Sequence, residues 1–191
     1  MRPIVCILSK SGSGKTTLCN ELEKRYGLKS IPSYTTRSPR FEGEQGHTFI
    51  TEQEFDNLKD ILAYAETDKC RYAVTKEMFE DENYSFYVVD MSGLKYLYKH
   101  YKGKRPIISI YINCDVCNRF KHMVNREDTR AYDERVQAAL ERIEHDATEF
   151  KESDIKKYVG YTLTNYEDQF DRLVGMVKRI CENYGIIKES K

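Results

Sequence analysis

The segment IVCILSKSGSGKTT, residues 4 to 17, decides how this chain is read. Ile4 to Leu8 are apolar and partly β-branched, the pattern of a strand buried on both faces of a parallel sheet. A Ser/Gly turn follows at once. From Lys15 to Tyr26 the apolar positions Leu18, Leu22 and Tyr26 recur every four residues, with Gly27 where a helix would be capped. Strand, turn and helix together nearly match GxxxxGK[ST], with Ser9 in place of the first glycine. Glycines in such a turn let backbone N–H groups curl around phosphate oxygens, and the positive end of the helix adds to their pull. The expected phosphate loop is Ser11, Gly12, Ser13, Gly14, Lys15, Thr16 and Thr17. Lys15 supplies charge for the β and γ phosphates, and Thr16 offers a hydroxyl to Mg²⁺. The expected ligand is a nucleoside triphosphate with its metal ion.

Beyond this opening, helices and strands alternate. FYVVD at 86–90 reads as a second buried strand, SGLKYLYKHY at 92–101 as a helix and IISIYI at 107–112 as a third strand. Residues 115–150 read as helical and charged, with Val136, Leu140, Ile143, Ala147 and Phe150 on one apolar face. Glu134, Arg135, Glu141, Arg142, Glu144, His145 and Asp146 read as a mostly solvated face. YVGYTL at 158–163 reads as a last strand and 166–184 as a closing helix. The expected fold is α/β of the P-loop NTPase type, a mostly parallel sheet flanked by helices. Residues 33–75 break the alternation and read as an insertion.

Composition narrows the class. At 191 residues the chain fits one domain, and 31 basic residues against 31 acidic ones argue against coating a nucleic acid or a polybasic membrane surface. Apolar runs stay near five residues, far below the ~20 of a membrane span, so a cytoplasmic protein is expected. The six cysteines read as free thiols, including Cys114 and Cys117, whose CxxC lacks a second metal-binding pair.

The insertion carries the second clue. Arg37 and Arg40 flank Pro39 in a stretch too rich in Pro and Gly for a long helix, so their planar forks could converge on one anion. Ser33-Tyr34-Thr35-Thr36-Arg37-Ser38-Pro39-Arg40, then Gly43-Glu44, Gly46 and Phe49, resembles the monophosphate-binding segment of guanylate kinases. The similarity continues through Asp90-Met91-Ser92-Gly93, the basic segment from Arg126 to Arg135, and Leu163-Thr164-Asn165. The resemblance implies one domain with a core of residues 1–32, 76–122 and 136–191, a monophosphate-binding insertion at 33–75 and a helical lid at 123–135. By the same resemblance Arg37, Arg40 and Tyr72 would hold the acceptor phosphate, with His47 where the family usually has Tyr. Ser33 and Asp90 would face the base or sugar, with Glu44 a less certain contact. Arg126 and Arg135 would reach the transferred group, helped by Arg130, and Asn165 would lie near the donor adenine. ATP and a nucleoside monophosphate, GMP or dGMP, are the implied partners of a monomer or weak homodimer.

Two further departures from the family pattern fall where the base is read. Counting back from Tyr72, the Glu that usually reads guanine falls on Ala63, the next acid, Glu66, lying on another helical face. Val74 stands where a base-reading Ser is expected, beside Thr75. Sites reject a wrong base through polar groups that only the right base satisfies, so these departures weaken or change guanine selectivity. A kinase of another nucleoside monophosphate is therefore one rival reading. A non-catalytic phospho-ligand module is another, opposed by a triphosphate cradle it would not need. A nucleotide-dependent switch is the third, which would hydrolyse ATP slowly without any acceptor.

Overall fold

The computed structural model describes residues 1–39, 42–44, 46–67, 69–126 and 130–187. The chain opens with β1 (Ile4–Ser9) and α1 (Lys15–Tyr26), then β2 (Lys29–Ser30), β3 (Ser33–Thr35), β4 (His47–Phe49) and α2 (Glu52–Asp56). It continues with β5 (Ile61–Thr67), β6 (Cys70–Thr75), α3 (Lys76–Glu80), β7 (Tyr84–Val88), α4 (Met91–His100) and β8 (Ile107–Asn113). The last elements are α5 (Val116–Val124), α6 (Tyr132–Glu149), α7 (Glu152–Tyr158), β9 (Tyr161–Thr164) and α8 (Phe170–Asn183).

The main sheet has the order β2-β7-β1-β8-β9, and every pairing in it is parallel. Residues Ile4 to Leu8 of the central β1 are wholly buried. Because side chains alternate across a strand, Val5 and Ile7 pack with Leu18 and Leu22 of α1 and Val174 and Val177 of α8, while Ile4, Cys6 and Leu8 pack with Leu94 and Leu97 of α4. The phosphate loop therefore leaves the sheet at its most constrained point. Gly27 caps α1 at φ 66°, its N–H donating to the Glu23 carbonyl at 2.7 Å.

Residues 33–75 build a second sheet, ordered β4-β3-β6-β5, with β3 and β4 parallel and the other pairs antiparallel. The helical reading around Glu66 is corrected here. Residues 61–75 form a hairpin in which Ala63 pairs with Val74. Both are buried with Met91 and Leu94, so β5 and β6 spend these side chains on docking against α4.

The helical segment expected over 115–150 consists of two helices, α5 ending where the Asn125 N–H donates to the Lys121 carbonyl at 3.0 Å. Two other expectations are corrected. Tyr158 ends α7, and the last strand begins only after Gly160, whose N–H donates to the Ser109 carbonyl and hydroxyl at 3.1 and 2.9 Å. The closing helix starts at Phe170 because a turn, Gln169 N–H to Tyr166 carbonyl, occupies the preceding residues.

On α6 the expected apolar face is displaced. Leu140 is 47% exposed and Ala147 is exposed, whereas Ala139, Asp146 and Phe150 are buried. Asp146 is thus not part of a solvated face.

A side chain that sequence reading passed over ties together the segments leading into β1, β7 and β8. The buried Arg105 guanidinium donates to the carbonyls of Arg2 at 2.9 Å, Phe79 at 2.6 Å, Asp81 at 2.9 Å and Tyr84. Backbone acceptors from three segments thereby share one cation. No helix among the described residues is long and apolar enough to cross a membrane. All six cysteines are thiols, none of them joined in a disulfide.

Candidate active site

The phosphate loop is shaped by left-handed glycines. Gly12 and Gly14 sit at φ 78° and 88°, and a Cβ on Gly12 would meet the Arg119 carbonyl oxygen at 2.5 Å. Ser9 replaces the expected glycine without strain because it is still the last residue of β1. It serves the loop as well: the Lys15 ammonium donates to the Ser9 carbonyl at 2.6 Å and its hydroxyl at 3.0 Å. Burial lowers the Lys15 pKa to about 8, opposed by Asp146, Cys19 and Asp90 and reinforced by Arg126.

Beside this loop lies a cavity of about 1010 Å³. Lys10 to Thr17 line one side, Arg37 and Tyr72 of the second sheet another, and Arg126, Arg130, Arg135 and Arg142 a third. Lys10 and Lys15 bring the lining cations to seven, with Glu141 as the lining carboxylate, in a chain of net charge zero. The positive charge has been gathered into one place. A smaller cavity of about 430 Å³ adjoins it, lined by Cys114, Asn118, His122, Asn165 and Phe170 and sharing Gly12, Gly14, Thr17 and Arg126 with the larger one. Asn165 is fixed there by its side-chain N–H, which donates to the Ser13 carbonyl at 3.1 Å.

Unpaired donors point to what this charge awaits. Six buried side-chain polar atoms among the described residues lack a hydrogen-bond partner, and three of them belong to the large cavity's lining, Ser13 Oγ, Arg37 Nε and Arg135 Nε. A buried donor left unmade costs roughly 1–3 kcal/mol, which an anionic ligand would recover.

The other expected residues fall into place unevenly. Arg37 grips Glu44 with both ends of its fork, at 2.7 and 3.1 Å, and lies 5.3 Å from the Phe49 ring centre. Its pKa is raised first by the hydrogen bond it donates to Glu44, whose side chain is 8% exposed. Glu44 is therefore Arg37's partner in this structure. Ser33 Oγ and His47 Nδ1 lie 2.9 Å apart, and the His47 ring meets Tyr72 edge-on at 5.7 Å. Asp90 caps α4, accepting from the Gly93 N–H at 2.7 Å and the Ser92 hydroxyl at 3.0 Å. Near it, Glu149 accepts the Met91 N–H at 3.2 Å, and burial followed by the Asp90 charge raises its pKa. Arg40 lies outside the described residues.

No protein-family model matches the chain. Among curated proteins, the guanylate kinase of Geobacter metallireducens is 28% identical over 197 residues, covering 95% of this chain and 91% of that protein. The guanylate kinase of Geobacter sulfurreducens is 29% identical over 189 residues, covering 93% and 87%. Among solved structures, the guanylate kinase from Anaplasma phagocytophilum superposes with a TM-score of 0.58 at 20% identity, over 95% of this chain and 86% of that one. The fold is the same. Over most of its length the chain is similar to guanylate kinases.

Two features of the site are unobtrusive in sequence. Arg142 lines the cavity together with Arg135, Ala138 and His145, spaced 3, 4 and 3 along one face of α6, and that spacing was the available signal. Arg135 also donates to the Val124 carbonyl at 2.8 Å, tying α6 to the end of α5. Asp146 and Arg119 had no local signal, because their partners are in the phosphate loop.

Proposed function

We propose that this protein transfers the γ-phosphoryl group of Mg·ATP to a nucleoside monophosphate, GMP or dGMP. The observation that carries the reading is that one cationic cavity is lined by the phosphate loop, by Arg37 and Tyr72 of the second sheet, and by Arg126, Arg130, Arg135 and Arg142. The attacking oxygen of a monophosphate is already anionic, so no general base is needed. The work is to bring two polyanions end to end and neutralise the charge.

In this reading the loop amides and Lys15 hold the donor phosphates, and Asn165 lies at the adenine end. Arg37, Arg40, His47 and Tyr72 hold the acceptor phosphate, Ser33 and Asp90 facing its base or sugar. Arg126 and Arg135 meet the transferred group, with Arg130 beside them. Closure of the segments at 33–75 and 123–135 excludes water that would otherwise hydrolyse ATP. Thr16, exposed at the cavity wall in the first turn of α1, offers the hard oxygen that Mg²⁺ prefers, so the residues fit the ion. Thr16 would hold the ion, which would neutralise charge on the donor phosphates.

An ADP-release assay with GMP, dGMP, AMP, CMP, UMP and dTMP tests the reading. GMP and dGMP are expected to turn over fastest, with less than the ~10⁴-fold discrimination of a site with a complete set of polar base readers. Absence of any monophosphate-dependent ADP release would remove the assignment. The burial of Ala63 and Val74 against α4 favours a second reading, a kinase of another nucleoside monophosphate, and the same panel tells them apart.

Arg37→Ala is expected to raise KM for the monophosphate about 10- to 100-fold while KM for Mg·ATP stays within about twofold, since a charge-assisted bidentate contact is worth ~1.5–3 kcal/mol. Steady-state kinetics with each substrate varied in turn checks this. An unchanged monophosphate KM would show that Arg37 serves only Glu44.

A further inference from the structure

We propose that Asp146 of α6 and Arg119 of α5 act as a positioning pair that holds the opening turn of the phosphate loop in its ATP-binding shape. The inference rests on the functional reading above. It starts from Ser11, whose backbone is gripped at both ends. The Ser11 N–H donates to Asp146 Oδ2 at 2.8 Å, and the Ser11 carbonyl accepts from Arg119 Nε at 2.8 Å. The ring closes where the Arg119 guanidinium meets Asp146 Oδ2, and the Ser11 hydroxyl adds a bond to Asp146 Oδ1 at 3.2 Å. Both charged side chains are 5% exposed. One residue on, the Gly12 carbonyl lies 2.8 Å from His122 Nδ1, so α5 also holds the next peptide.

A buried ion pair is a poor way to gain stability, because its desolvation costs about as much as its attraction returns. What such a pair supplies is direction. Here it is spent on the turn whose following amides face the large cavity, and it is anchored on the helix that carries Arg135 and Arg142 into the same cavity. A shift of α6 is thereby passed to the loop through one carboxylate. Asp146, His145 and Glu149 have ligand atoms within 4.8 Å of one another, yet both Asp146 oxygens are committed to Ser11 and Arg119, which leaves a loop anchor as its role.

The test is Asp146→Asn, which keeps the shape and loses the charge, beside Arg119→Lys, which keeps the charge and loses the fork. Mg·ATP affinity is read by calorimetry without any acceptor, and KM for each substrate by ADP release. The expected result is folded protein, Mg·ATP affinity weakened about tenfold or more in each variant, and a monophosphate KM within about twofold of wild type. Folded variants with wild-type Mg·ATP affinity would overturn the inference, as would equal losses for both substrates that track the fraction folded. Should both variants fail to fold, Ser11→Ala decides. A severalfold weaker affinity supports the pair, and an unchanged one rejects it. Wild-type protein that binds no Mg·ATP would instead remove the functional reading, and this inference with it.

Discussion

Lys15→Ala is expected to lower phosphoryl transfer by at least about 10²-fold, with the protein still folded. The Lys15 ammonium is held at the end of β1 by the Ser9 carbonyl and hydroxyl, so it is presented to the loop's mouth before any nucleotide arrives. Burial has already lowered its pKa to about 8, and a polyphosphate entering the cavity would favour the charged form again. Removing the side chain deletes that charge from the donor's β and γ phosphates and leaves the Ser9 carbonyl short of a donor. The second loss costs roughly 1–3 kcal/mol, but the variant is also relieved of a desolvated cation, so the change in thermal midpoint should be small. ADP release with Mg·ATP varied, run beside a melt followed by circular dichroism, separates the two effects. A wild-type rate would mean that the donor does not sit on this loop.

Arg126→Ala is expected to lower kcat by about 10²- to 10³-fold while both KM values move less than about fivefold. Arg126 is the charged side chain common to the two cavities, which places it where donor and acceptor would meet. A cation at that point interacts most strongly with charge that builds up as the phosphoryl group is in transit, and such arginines contribute ~10³ to 10⁵ in related chemistry. Interactions realised only in the transition state appear in kcat and not in KM. Single-turnover kinetics under saturating substrates gives the cleanest reading. A variant whose KM for ATP rises in proportion to its loss of rate would make Arg126 a ground-state contact.

The parts of the molecule readable in sequence were those whose signal is local. A buried β-branched run, two glycines that must take positive φ and a lysine at the start of a helix lie within 14 consecutive residues, so the phosphate loop was plain before any coordinates. The alternation of strands and helices likewise gave the parallel main sheet. Around Glu66 the helical reading fails because a short stretch mixing Ala, Tyr, Glu and Val carries no decisive period; β5 pairing with β6, which β3 flanks on its other side, makes residues 61–75 a hairpin.

Asp146 is the clearest case of the opposite kind. On a helical wheel it sits among charges and passes for a solvated residue, yet it is 3% exposed, because its partner Ser11 lies 135 positions earlier. Arg37 shows the same division: its residue type and neighbours announced an anion site, whereas its bidentate hold on Glu44 became visible only in the folded second sheet. Short-range chemistry, the dihedral demands of glycine and the periodicity of a strand or helix, is written along the chain and set both the sheet and the cradle. Which charges are buried, what each one holds and how the arginines of three separate segments come to face one cavity depend on contacts between distant residues, and those exist only once the chain has packed.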